Sequence, residues 1–188
     1  MLTGRPAAGP VEPEQVHLQF GTDAASQVAV SWAAQAAVAR PRLRFGLASE
    51  RATSEVEAAE RGYTDALTGE TVYTYHAAIS SLEPDSYYGY EVRHDGAPPV
   101  VGTFRTGPQG RSRRFRFTSF GDQAVPEPIG LGLGPHSPNA AYVVEAIEAL
   151  DPLFHLVNGD LCYSNCTDQP VATWAAYFEN ISRSARCS

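Results

Sequence analysis

The chain has 188 residues, of which 43% are hydrophobic, enough apolar side chain for one large core or two small ones. Its formal charge is -7, with an isoelectric point near 5.2 and the acidic residues dispersed. That balance excludes the backbone of a nucleic acid as the main partner, and no apolar run has the length of a membrane span.

All 14 basic residues are Arg and none is Lys, a bias that fits GC-rich coding better than a need for guanidinium groups. Met1 to Arg5 lead into no apolar signal-peptide core, and Pro6-Ala7-Ala8-Gly9-Pro10 reads as a linker, so residues 1–12 are expected to be linker. From Gln15 to Arg105 the pattern is period two: Val16, Leu18 and Phe20; Val28, Val30 and Trp32; Leu43, Phe45 and Leu47. Val72–Ile79, Tyr88–Val92 and Val101–Phe104 continue it, separated by Gly, Pro and Asp clusters. So many short strands predict a β-sandwich. Leu82-Glu83-Pro84-Asp85-Ser86-Tyr87-Tyr88 resembles the Leu-x-Pro-x-x-x-Tyr corner of fibronectin III-like domains, with Tyr88 as the corner residue and Trp32 as the core tryptophan. His17, His76 and His94 fall on strands and are expected at edges or on the surface.

Arg105 to Gly110 close the sandwich, and residues 108–113 are expected to be a second linker, with Arg111, Arg113, Arg114 and Arg116 as its solvated hinge. The pattern then changes. Arg114–Phe120 reads as a strand, Ala140–Leu150 as a helix with Val143, Val144, Ile147 and Leu150 at helical spacing, and Leu153–Val157 as a second strand. Strand, helix and strand in this order predict a parallel βαβ unit. Thr173–Ile181 predicts another helix, whose Trp174, Tyr177, Phe178 and Ile181 form a core-packing stripe. No further strand follows, so residues 114–188 read as an incomplete α/β domain. Cys162, Cys166 and Cys187 are an odd number, so at least one thiol is expected to stay free or pair outside the molecule, and they lack the histidines a zinc site needs. The loop Gly130-Leu131-Gly132-Leu133-Gly134-Pro135 lacks the lysine and spacing of a phosphate cradle and reads as a surface loop.

The residues that carry chemistry are Asp122, Asp160 and Tyr163. Asp122 follows the first strand of the βαβ unit through Gly121, and Asp160 follows the second through Asn158 and Gly159. Adjacent parallel strands would bring both carboxylates to the carboxyl edge of one sheet, where open α/β sheets bind ligands. Tyr163 stands three residues beyond Asp160, within one turn of loop, and a phenolate is a hard anionic donor suited to a ferric ion. The same spacing also fits a bland reading, in which Asp160 caps a turn and Tyr163 packs against it.

Phe120-Gly121-Asp122-Gln123 and Leu156-Val157-Asn158-Gly159-Asp160-Leu161-Cys162-Tyr163 resemble the first two metal motifs, GDxG and GDxxY, of purple acid phosphatases. Pro13–Leu18, Val30-Ser31-Trp32, Tyr75–Pro84 and Thr103–Thr106 resemble that family's fibronectin-like N-terminal domain. The resemblance covers nearly the whole chain, with the sandwich at residues 13–107 and the start of a calcineurin-like metallophosphoesterase domain at 114–188. It implies that Asp122 and Tyr163 bind Fe(III) and that Asp160 bridges it to a second divalent ion, Fe, Zn or Mn. The implied reaction is hydrolysis of phosphate monoesters by metal-hydroxide attack, in a secreted or extracytoplasmic protein. Two departures stand out. Ala124 replaces the second glycine of GDxG, and the family's GNH, VxxH and GHxH motifs do not occur. The chain by itself is therefore expected to bind iron weakly and to be inactive, as the C-terminally truncated front portion of an enzyme. The rival expectation is a non-catalytic extracellular binding or adhesion module with a vestigial phosphoesterase segment. Oligomeric state and substrate identity leave no mark in the sequence.

Overall fold

The computed structural model describes residues 10–50, 52–110, 114–129 and 136–186. Eight strands build two antiparallel four-stranded sheets. One orders β1 (Glu14–Phe20), β2 (Val28–Ala34), β6 (Thr71–Ile79) and β5 (Ala59–Thr64). The other orders β4 (Ser54–Glu57), β3 (Arg42–Leu47), β7 (Tyr87–Arg93) and β8 (Val100–Arg105). Alternation decides which side chains enter the core between them. Along β6, Tyr75, Ala77 and Ile79 are buried while His76 and Ala78 are exposed, and along β7 the buried residues are Tyr88, Tyr90 and Val92. Trp32 is 1% exposed, stacks on Tyr75 at 5.7 Å, and joins Val30, Leu43 and Phe104 in one continuous cluster. Each such side chain contributes roughly 1.5–3 kcal/mol by leaving water.

The expected corner is present: the Glu83 backbone N–H donates to the Tyr88 hydroxyl at 2.8 Å. Thr106, fully buried, braces the same turn by donating to the Glu83 carbonyl at 2.6 Å and accepting from the Ser86 N–H at 2.9 Å. The histidine expectation needs correction. His76 is exposed and His17 sits half-buried on the edge strand β1, but His94 is 4% exposed, held by its Nε2 against the Val11 carbonyl at 2.6 Å. His94 lies beyond the last residue of β7, where the segment before β1 covers it.

The second segment is the expected parallel unit. β9 (Phe117–Phe120) pairs in parallel with β10 (Phe154–Val157), and α1 (Ala140–Glu148) connects them. Residues 114–116 lie outside the strand, although the Leu153 N–H still reaches the Arg116 carbonyl at 2.9 Å. α2 (Pro170–Asn180) starts ahead of the expected Thr173 because Pro170 occupies the first helical turn, where its missing N–H costs nothing. A short α3 (Ser182–Arg186) follows. It ties the segment back to the sandwich, since the Tyr90 hydroxyl donates to the Arg186 carbonyl at 2.9 Å and the Arg186 guanidinium donates to the Val101 carbonyl at 3.0 Å. Between sandwich and βαβ unit lies an apolar cavity of about 650 Å3, lined by Phe20, Phe104, Val144, Ile147, Phe154 and Tyr177 among others. Leu156 and Val157, which also line it, and Phe117 of the same two-stranded sheet remain about half exposed. Among the described residues, no helix is long and apolar enough to cross a membrane. The loop at 130–135, Arg111, Arg113 and Cys187 lie outside the described residues.

Candidate metal centre

Parallel pairing brings the carboxyl ends of β9 and β10 to one edge, and three hydrogen bonds stitch the loops that leave them. The Asn158 N–H donates to the Phe120 carbonyl at 2.8 Å, the Asn158 Nδ2 to the Ser119 Oγ at 2.6 Å, and the Ala124 N–H to the Leu161 carbonyl at 2.8 Å. The loops nearly touch, for a Cβ on Gly121 would stand only 3.0 Å from the Gly159 carbonyl oxygen. Glycine is the residue that permits this approach without a shift.

The backbone turns sharply on both sides. Asp122 has φ 52°, Asp160 φ 47° and Tyr163 φ 53°, all in the left-handed region that non-glycine residues seldom adopt. Strain of this kind is tolerated where the surroundings fix it, and it gathers at functional sites. Ala124, at φ 59°, takes the same conformation in the place where the GDxG pattern has its second glycine. The turn thus survives the substitution.

These turns bring Asp122 and Tyr163 together, since the Tyr163 hydroxyl donates to the Asp122 Oδ1. The Tyr163 pKa is pushed up to about 12, first by that hydrogen bond and then by burial and the negative charge of Asp122, Asp160 and Cys166. The phenol and the two carboxylates are all hard oxygen donors. This donor set fits a hard, highly charged ion, whose arrival would replace the shared proton. Asp160 belongs to the same electrostatic neighbourhood.

No other ligand type joins them among the described residues. Among the described residues no three His, Cys, Asp or Glu side chains gather in a group able to hold a metal. His155 sits inside β10 against the Thr118 Oγ1 at 2.5 Å and the Phe120 ring, and burial lowers its pKa. His136 is exposed, its backbone bridged to Val125. Cys162 is free and buried, with its thiol pKa pushed up chiefly by burial, and Cys166 is free and exposed. Sequence spacing gives no role to Ser119, which clamps Asn158, or to Gln123. The latter is 8% exposed, and neither end of its amide has a hydrogen-bond partner among the described residues. Gln123's position directly after Asp122 was the one available signal.

Residues 13–119 match the family model for the purple acid phosphatase N-terminal domain. The uncharacterized protein Rv2577 of Mycobacterium tuberculosis is 42% identical over 189 residues, an alignment that covers 97% of this chain and 35% of that protein. The chain therefore spans about a third of the length of the curated relatives it matches. Among solved structures, purple acid phosphatase PPD1 from yellow lupin (Lupinus luteus) seeds superposes with a TM-score of 0.70 at 20% identity, covering 94% of this chain and 34% of that one. PhoD superposes with a TM-score of 0.57 at 12% identity, covering 98% and 39%. At such identities these structures establish the fold alone: a sandwich followed by an incomplete α/β unit. Purple acid phosphatases generally use iron with a second metal. With residues 13–119 matching that model and the sandwich bearing its tyrosine corner, the chain belongs to the purple acid phosphatase family through its N-terminal domain.

Proposed function

We propose that this chain is the front portion of a dinuclear-metal acid phosphatase that hydrolyses phosphate monoesters. Residues 13–107 form its fibronectin III-like domain and residues 114–188 the start of its calcineurin-like metallophosphoesterase domain, joined by the linker 108–113. The observation that carries this reading is the hydrogen bond from Tyr163 to Asp122 at the edge where two parallel strands end, with Asp160 adjoining.

Asp122 and Tyr163 would hold Fe(III), and Asp160 would bridge it to a divalent Fe, Zn or Mn ion. When bound, the ions supply an activated water and neutralise charge on the phosphoryl group. The chain's own residues prepare the site. Tyr163 would release to solvent the proton it donates to Asp122; Asn158 and Ser119 fix the spacing of the two loops, and Gly121 and Gly159 let those loops approach. Protonation of the leaving group requires an acid that these residues do not provide.

The test compares two proteins. A longer protein containing this chain should turn over an aryl phosphate, and Asp160→Asn should lower its kcat at least a hundredfold. The 188-residue chain should retain less than one equivalent of iron and show no turnover above background. The proposal fails if Asp160→Asn leaves the longer protein's kcat intact.

A further inference from the structure

Helix α2 lies over the outer face of the sheet that contains β1, β2 and β6, and one imidazole stands in the contact. His17 of β1 stacks on Phe178 of α2 with ring centroids 4.8 Å apart and 27° between the planes. Its Nδ1 bonds the Gln15 carbonyl at 2.7 Å, which fixes the proton there and leaves Nε2 to take up a second one. The strand register places His17 opposite Ser31, and Ser31 opposite His76, so both imidazoles share one row of the sheet. Ser31 Oγ holds the His76 Nδ1 at 2.8 Å. The row floors a cavity of about 300 Å3, roofed by Val171, Trp174 and Phe178 of α2.

We propose that this contact is an acid-sensitive clasp, in which protonation of His17 releases α2 from the sandwich. The helix continues from the turn that carries Asp160 and Tyr163, through Ser164–Cys166 and the Thr167–Thr173 hydroxyl contact at 3.1 Å, so its release would loosen that turn. The inference needs no metal and stands apart from the phosphatase reading.

Among the described residues, no carboxylate is bonded to His17 to receive a positive charge there. On β1, Glu14 is occupied by the Gln35 amide at 2.7 Å. β2 has no titratable side chain; β6 offers His76, of like charge when protonated; and β5 contributes the Tyr63 phenol to the cavity wall, with Glu60 bonded to Tyr75 and Arg61 exposed. On α2, Tyr177 is buried and held neutral up to about pH 12, chiefly by burial, and Glu179 is exposed. α3 brings only cations, exposed Arg183 and half-buried Arg186, the latter bound to the Val101 carbonyl. No carboxylate pairs with His17 among the described residues. Burial therefore dominates and holds the His17 pKa below the ordinary imidazole value of 6.5; the Gln15 carbonyl opposes this, and His76 adds to the lowering.

The sign follows by linkage. The docked form binds the proton less readily than the open form, so docking is fully present above the open-form pKa of about 6.5. It is lost as pH falls through that value, by up to about tenfold in the docked-to-open ratio per pH unit, until the docked-form pKa is reached.

The test uses the metal-free chain in chelator. With Trp32→Phe, Trp174 is the sole indole, and its emission should shift to the red between pH 7.5 and 5 while strand circular dichroism stays constant. Adding His17→Phe, which keeps a ring on Phe178 but cannot titrate, should flatten the profile. In the unmodified chain, proton NMR should show the His17 Cε1 proton titrating below pH 6.5, with α2 amide shifts moving over the same range. That second readout decides the matter if Trp32→Phe does not fold. The proposal is overturned if Trp174 emission is flat, if His17→Phe leaves the shift in place, if the strands unfold together with the helix, or if His17 titrates at or above 6.5.

Discussion

Tyr88 and Tyr90 sit two residues apart on the same face of β7, and their hydroxyls serve different purposes. Tyr88 accepts the Glu83 N–H and closes the sandwich corner, whereas Tyr90 donates to the Arg186 carbonyl and holds the final helix. Tyr88→Phe is therefore expected to cost about 1 kcal/mol in urea unfolding, the net worth of one such bond. Trp32→Ala, which empties the middle of the core, should cost about 3–5 kcal/mol in the same experiment. Trp32 and Tyr88 were both legible in the sequence, because an aromatic at the end of an alternating strand and a Leu-x-Pro-x-x-x-Tyr run each have a local cause. His94 was not. Its burial depends on the Val11 carbonyl, far away in the chain, and no neighbouring residue signals that contact. Asp122, Asp160 and Tyr163 were legible as a motif, but the left-handed turns that aim them belong to the loops' mutual packing.

Edge strands mark the limit of what alternation reveals. β5 is exposed along its whole length and β4 nearly so, with mostly polar and charged sequences, so neither has the apolar period that identifies the other strands. They form because β3 and β6 offer unpaired backbone, and their charges guard the edge against further pairing. At β8 the close packing is more demanding. A Cβ on Gly102 would meet the Tyr90 hydroxyl at 2.4 Å, inside the position that the phenol needs to reach α3. Gly102→Ala should destabilise the chain by about 1–3 kcal/mol through overpacking, measured by thermal unfolding. Tyr90→Phe should leave the sheets intact but increase amide exchange in residues 182–186. The helices were legible from their stripes, while the helical turn after Asn180 was not, since its stability comes from the sandwich rather than from its own Ser-Arg composition.

At the scale of the whole molecule, one half carries its own core and the other borrows. The cluster around Trp32 and Tyr90 lies wholly within the sandwich, whereas the cluster of Val125, Cys162 and Tyr177 is small and leans on β1 through His17 and Phe178. A chain of residues 10–110 should accordingly unfold in one cooperative transition in urea, with the same midpoint followed by Trp32 fluorescence and by circular dichroism. Residues 114–186 expressed without the sandwich should show no such transition. The bond between Tyr90 and Arg186 joins positions separated by 96 residues, so it forms only after a long stretch of chain has been brought together. Closing so wide a loop is an entropic cost met late, after nearer contacts have formed. On refolding from urea, Trp32 should regain its native signal first and Trp174 in a slower phase, and Tyr90→Phe should slow or abolish the second phase without altering the first. A single hydroxyl would then set the order in which the two halves of this protein become one body.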